Sequence, residues 1–118
     1  MLRTGDLVHR VTVQVPIEVS DGHDGLTLTW ATVLPRIPAR VKPLQGRDLD
    51  RARQIEPRTS HEVTVRFWRA YRTDVVGGRA QLLYHDDGTD RTLEIVAPPV
   101  DVDEEHMAIT MLCREAVA

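Results

Sequence analysis

Apolar and polar residues alternate with a period of two over much of the chain. Valine occupies every second position of residues 11–15, and leucine or tryptophan every second position of residues 26–30. Such alternation is typical of a β-strand that has one buried and one solvated face. The intervening Pro16–Gly25 contains two Asp-Gly steps, which favour tight turns. The pattern predicts a β-hairpin over residues 8–33, with Pro16–Gly25 as a long loop that projects from the domain.

The rest of the chain repeats the strand pattern with turn signals between the apolar runs. Pro35 and Pro38 restrict the third strand to a sheet edge or a bend. The Asp-rich segment Asp86–Thr89 is a strong hairpin turn signal. The further predicted strands cover residues 36–42, 61–68, 80–85, 91–97 and 106–114.

A helix is predicted in one place, over residues 47–56. Leu49, Ala52 and Ile55 fall on the same helical face, and Pro57 ends the helix. This helix lies within a connection of about eighteen residues, Pro43–Ser60, which is long for a compact domain. Long connections of this kind are usually functional or disordered.

These elements predict a mainly β fold, a small antiparallel β-barrel of six or seven strands with one short helix in a long inter-strand connection. At 118 residues the chain is expected to form a single domain over residues 1–118. Met107 is predicted to point inward from the last strand. The predicted core consists of Val11, Val13, Trp30, Val41, Val63, Val65, Phe67, Leu93, Ile95, Ile109 and Met111.

Composition narrows the class of protein. No apolar run reaches the ~18 residues of a membrane span, and Met1–Asp6 lacks the apolar segment of a signal peptide, so synthesis in the cytoplasm is expected. Cys113 is the single cysteine, which excludes an internal disulfide and a cysteine-based zinc cluster. Aromatic residues make up 4% of the chain, which disfavours single-strand binding by base stacking.

No arrangement of reactive residues predicts catalysis or a cofactor. The five histidines lack the spacing of metal ligands. A site assembled from His61 and His85 with Asp86 or Asp87 is the one metal arrangement left open. Neither serine lies in the setting of a nucleophile, and no phosphate-binding glycine loop is present.

Charge is unevenly distributed along the sequence. Residues 36–58 carry seven bases and three acids, a net of +4, whereas residues 85–115 carry nine acids and two arginines, a net of −7. Either these are ordinary solvated faces, or the molecule is bipolar and its basic side meets an acidic surface. Charge complementarity of the second kind steers and registers docking.

Several segments, in order, resemble the head-closure proteins of long-tailed bacteriophages, also called head–tail joining or stopper proteins. Each segment alone is weakly specific, and their order and spacing carry the resemblance. It spans nearly the whole chain, in Gly5–Gln14, Trp30, Ala39–Leu49, His61–Arg66, Leu93–Ile95 and Leu112–Glu115.

The resemblance implies a structural connector of the virion and not an enzyme. Such proteins are small β-barrels that form homo-oligomeric rings below the portal or its adaptor, retain packaged double-stranded DNA and present the tail-docking surface. The protein is expected to form a ring in the assembled particle and can be a monomer when isolated. No membrane partner is expected. Alternatives are a tail-terminator or tail-completion protein, an oligonucleotide-binding barrel that uses Arg36–Arg58, and a small hydrolase or metal-dependent enzyme.

Two segments are predicted to make the contacts. A loop at the hairpin tip is expected to meet a neighbouring ring or the tail. The basic helical connection is expected to face the channel or the adjoining ring, with glycine as its hinge. The tip loop comprises Ser20, Asp21, Gly22, His23, Asp24 and Gly25, and the helical segment comprises Gly46, Arg47, Asp48, Asp50, Arg51, Arg53 and Arg58.

Overall fold

The structure is a computed structural model that describes residues 7–20, 22–23, 25–71 and 80–116. An α-helix, α1 (Gly46–Ile55), lies between the second and third strands, and a short 3-10 helix, Val102–Glu104, precedes the last strand. The strands are β1 (His9–Ser20), β2 (Leu26–Pro43), β3 (His61–Arg66), β4 (Gln81–Asp86), β5 (Thr89–Ile95), β6 (Val100–Asp101) and β7 (Ala108–Glu115).

All the strands belong to one antiparallel sheet in the order β3-β2-β1-β4-β5-β7-β6. A further pairing between β3 and β7 closes the sheet on itself. Closure gives the edge strands partners and so protects the backbone groups of the wall from pairing with other chains. The predicted fold class is confirmed, including the helix in the connection between two strands.

The core fills the inside of this closed sheet. Nine of the predicted core residues are buried there: Val11, Val13, Val41, Val63, Val65, Leu93, Ile95, Ile109 and Met111. Phe67 packs against this cluster from a half-buried position, just beyond the end of β3. Tyr84 and Leu82 of β4 complete the cluster from the wall opposite.

Two of the core predictions are wrong. Trp30 is 46% exposed, because the hairpin extends beyond the closed sheet and its faces there cover nothing. Met107 is 42% exposed, because the last strand begins at Ala108 and Met107 lies in the preceding turn.

The predicted second and third strands form one continuous strand, β2. It bends at Arg36, whose φ of 44° is unusual for a residue with a side chain. The backbone N–H of Arg36 donates to the hydroxyl of Thr12 on β1 at 3.0 Å. The prolines on either side of Arg36 therefore mark a bend within a strand and not a strand boundary.

The boundaries of the helical connection agree closely with the prediction. Helix α1 covers Gly46–Ile55, one residue earlier at each end than predicted, and Pro57 follows it. Gly46 has a φ of 58°, which glycine adopts without steric cost. Among the described residues, no helix is long and apolar enough to cross a membrane.

Candidate interaction surfaces

The β1–β2 hairpin extends beyond the closed sheet as a two-stranded arm, defined here as Val15–Ser20 and Leu26–Ala31. Strand β4 pairs with β1 only over Val11–Gln14, and β3 pairs with β2 only over Ala39–Pro43. Within the described residues, the arm therefore has no third strand on either side. Residues predicted to form the loop, Pro16–Ser20, are in fact the end of β1, so the tip loop is shorter than predicted.

Both faces of the arm carry exposed apolar side chains. Leu26, Leu28 and Trp30 share one face, with exposures of 68%, 68% and 46%. Ile17 and Val19 share the opposite face and are 44% and 45% exposed. A two-stranded ribbon is marginally stable in water by itself, and contiguous exposed apolar surface usually marks a binding site. The arm thus has the character of a docking surface.

A hydrogen-bonded chain holds the bend of β2 at Arg36. Thr12 accepts the Arg36 N–H, so its hydroxyl proton is available to Nε2 of His85 at 2.8 Å. Nδ1 of His85 lies 2.8 Å from a carboxylate oxygen of Asp90, which the Nδ1–H tautomer satisfies. The chain connects β1, β2, β4 and β5 and so holds the bend of β2 in the closed sheet.

The arm tip contains the predicted partner-contact loop. Gly22 and His23 are exposed and Gly25 is half-buried. The hydroxyl of Ser20 accepts a hydrogen bond from the Gly22 N–H at 3.3 Å, and Gly22 has a φ of 81°. Two residues of the predicted loop, Asp21 and Asp24, lie outside the described residues.

Helix α1 is attached to the closed sheet by a thin apolar face. Ala52 is buried and Leu49 is half-buried, whereas Ile55, which was predicted to contribute, is 73% exposed. Arg47 and Arg51 are exposed and have no ion-pair partner within the described ranges. These two guanidinium groups can therefore bind an external anion without first leaving an internal one.

The other charged residues of this segment have partners. Lys42 pairs with Asp48 at 3.1 Å, and Arg58 pairs with Glu56 at 2.9 Å, which lowers the pKa of that carboxyl. Arg53 donates to the backbone carbonyl of Thr59 at 3.4 Å. Asp50 is exposed. The segment is thus basic, but not all of its charge is equally available.

The base of the arm and the turn after α1 border the same groove. Trp30 at the arm base and Arg58 after α1 line the same groove of about 210 Å³, together with Gln81 and Glu94. Sequence reasoning missed this relationship because residues 30 and 58 are brought together only when the strands between them close the sheet. No local signal in the sequence indicates it.

The acidic C-terminal part is held by ion pairs across strands. Arg91 bonds both carboxylate oxygens of Glu115 at 2.7 Å, and Arg114 bonds Glu94. The Arg91 guanidinium lowers the pKa of Glu115. Both arginines of this region are therefore engaged within it, and its net charge of −7 remains.

The reactive groups that the sequence left open do not converge. Among the described residues, no group of three or more potential ligands could hold a metal ion. His61 bonds Ser60 at 2.8 Å, whereas His85 is engaged by Thr12 and Asp90. Burial raises the pKa of the Cys113 thiol, which leaves it an inert core residue.

A closed antiparallel sheet with a projecting apolar arm and a basic helical connection defines a small protein-docking module. The family model for phage head completion proteins matches residues 2–116, so the chain belongs to the phage head completion protein family. This is a family of structural proteins, and membership assigns the chain to phage head assembly and closure. The resemblance read from the sequence is confirmed.

The fold is also similar to a solved structure. The solution structure of protein SF1141 from Shigella flexneri 2a superposes with a TM-score of 0.71 at 17% sequence identity, covering 98% of each chain. At this identity the likeness concerns the fold. A comparison with curated protein sequences finds no match.

Proposed function

We propose that this chain forms a ring below the portal or its adaptor, closes the DNA-filled head and provides the surface to which the tail attaches. The observation that carries the proposal is the match to head completion proteins over residues 2–116, combined with an arm and a basic helical connection that border one groove of the closed sheet. A module of this kind can sit in a ring and still reach the components above and below it. Its place is the head–tail interface of the virion.

The basic helical segment is proposed to face the channel or the adjoining ring. It comprises Gly46, Arg47, Asp48, Asp50, Arg51, Arg53 and Arg58. Arg47 points away from the buried Ala52 on the helix, so a ring would place one such guanidinium per copy on the same surface. Repeated arginines in a channel attract DNA phosphates without reading sequence.

The tip loop Ser20–Gly25 is proposed to contact the tail or the next ring. A loop carried by a two-stranded arm reaches beyond the closed sheet, and Gly22 and His23 are exposed at its end. Functional contacts commonly lie on loops that a rigid scaffold positions. In this arrangement the closed sheet positions the segments and contributes no chemistry of its own.

Particles produced without this chain test the proposal. The expected result is that heads package DNA, fail to join tails and lose their DNA, and that supplying the chain in trans restores tailed particles. Tails of normal length should accumulate separately. Irregular tail lengths with DNA retained in the heads would instead indicate a tail-terminator, and normal tailed particles would contradict both roles.

A further inference from the structure

One face of the arm combines apolar side chains with a single carboxylate. Glu18 pairs with Leu28 across the two strands, so the two side chains point to the same face, beside Leu26 and Trp30. Residues 11–35 contain no lysine or arginine, although the chain has fifteen such residues, and their acids are Glu18, Asp21 and Asp24. Among the described residues Glu18 has no ion-pair partner.

A groove beside helix α1 has the complementary character. Ile55, Ala52 and Leu112 form its apolar part, and Arg51 lies on its rim; its volume is about 220 Å³. The acids Asp48 and Glu62 also line it; Asp48 is engaged by Lys42, and Arg51 is the cation of the lining. Ile55 is 73% exposed, so most of the stabilisation that burial of an isoleucine side chain provides is absent here.

The distance between Glu18 and Leu28 on the arm matches the distance between Arg51 and Ile55 on α1. Residues opposite each other on antiparallel strands have Cβ atoms about 5 Å apart, which applies to Glu18 and Leu28. Residues four apart on a helix are separated by about 5–6 Å, which applies to Arg51 and Ile55. Leucine can therefore pack on isoleucine while the carboxylate meets the guanidinium, with no change in either backbone.

Within one molecule, neither the arm face nor the α1 groove is covered. Leu28 and Ile55 remain 68% and 73% exposed, although the arm base and the turn after α1 share a groove. The arm base lies beside the turn after α1, so in a ring the arm of one molecule can extend to α1 of a neighbour. A contact between two different patches is the kind that generates rings.

We propose that the arm docks in the α1 groove of a second copy of this chain, with Leu28 against Ile55 and Glu18 against Arg51. This deepens the ring of the proposed function and rests on it. One arm face covers roughly 17 by 10 Å from strand dimensions, about 170 Å². That is far below the ~800 Å² per partner of a stable interface, so the contact joins neighbours that another ring has already aligned.

Disulfide trapping tests this contact, since the buried Cys113 does not compete. Purified L28C and I55C chains, distinguished by mass tags, are mixed at high concentration under oxidising conditions. The mixed dimer is expected to form several-fold faster than the dimer of L28C with V100C, whose position is 60% exposed on β6. Urea unfolding of each variant establishes that it is folded.

A charge exchange tests the paired groups. Adding E18R to the first chain or R51E to the second should slow mixed cross-linking several-fold, and combining both should restore it. Faster cross-linking of L28C with itself, or a rate no higher than that of V100C, would overturn the contact. So would cross-linking of L28C to another particle protein in place of I55C. Any of these results would contradict the arm contact. If heads that lack the chain still lose their DNA, the proposed function stands without that contact.

Discussion

Arg91 and Glu115 join the fifth strand to the end of the last one through two parallel hydrogen bonds of 2.7 Å, from Nε and Nη2 to the two carboxylate oxygens. The guanidinium also bonds Asp86 at 3.2 Å and lies 5.3 Å from the ring centre of Tyr84. Glu115 is near the end of β7, so this pair secures the last strand where its ladder with β5 is short.

Replacing Arg91 should therefore loosen the end of β7. Because both partners are about one-third exposed, Arg91→Ala is expected to lower the free energy of unfolding by about 1 kcal/mol. Arg91→Lys should recover only part of this, since an ammonium cannot form the two-pronged contact. Urea unfolding measures both, with Arg58→Ala at an exposed pair as the control that should show no clear loss. Equal stability of the Arg91→Ala and wild-type chains would contradict this account.

The difference in burial between Leu93 and Phe67 predicts which of the two loses more stability when replaced by alanine. Leu93 is fully buried, so Leu93→Ala should lower the free energy of unfolding by about 3–5 kcal/mol. Phe67 is half-buried and contacts Tyr71 and His106 at one end of the core, so Phe67→Ala should cost about 2 kcal/mol. Thermal or urea unfolding of the two variants decides the order. A larger cost at Phe67 would mean that this end of the core is covered more completely than described.

The strands were predictable because alternation reports which residues share a face. Val63 and Val65 illustrate the success, since both are fully buried. Alternation does not report what covers that face, which explains the error at Trp30. Pro16 suggested the end of β1, because proline has no N–H to donate to a neighbouring strand. Strand β4 pairs with β1 only as far as Gln14, so β1 continues through Pro16 without losing a hydrogen bond to β4.

The helical connection was predictable, and its setting was not. Gly46 and Pro57 bracket α1 with local chemistry that a sequence displays directly. The groove shared by Trp30 and Arg58 arises from closure between β3 and β7, a pairing of residues some 45 positions apart. Long-range pairing of this kind leaves no periodic trace in either segment.

Acid should destabilise the protein through His61. Burial lowers its pKa below 6.5 in spite of Glu115 nearby, with Arg91 acting in the same direction as burial. The unfolded chain therefore binds a proton first, and stability should fall as the pH falls below about 7 toward 5. The ion pair of Glu115 loses its stabilising effect only at lower pH, because Arg91 holds the pKa of Glu115 below its usual value.

Urea unfolding at a series of pH values checks this dependence. His61→Gln should flatten the slope between about pH 7 and 5, because glutamine has no proton to gain. An unchanged slope in His61→Gln would show that another group controls stability in this range.

The arm tip can be shortened without changing the register of the arm. Deleting residues 20–24 leaves Gly25-Leu26 as a two-residue turn between the paired Val19 and Thr27, and glycine suits the first position of such a turn. The deletion should preserve the unfolding midpoint and abolish tail joining to filled heads. A variant with residues 20–24 replaced by Gly and Ser at the same length separates loss of reach from loss of chemistry. Normal tail joining by both variants would exclude the tip as a contact.

The basic segment should matter to DNA retention through charge. Arg47→Glu with Arg53→Gln lowers the net charge by three per copy and keeps an N–H donor near the Thr59 carbonyl. These variants should fold normally and give filled heads that leak DNA, since phosphate attraction is lost in every copy. Arg10→Glu with Arg40→Gln makes the same charge change on the sheet wall and should retain DNA. Equal retention by both pairs would show that α1 does not face the channel.

Nuclease protection of packaged DNA tests closure of the head most directly. Filled heads made without this chain are incubated with nuclease, with and without added purified chain, and the protected DNA is measured over time. The account predicts rapid loss without the chain and protection after its addition, with tails joining only to the protected heads. Equal protection of DNA in heads that never received the chain would contradict it.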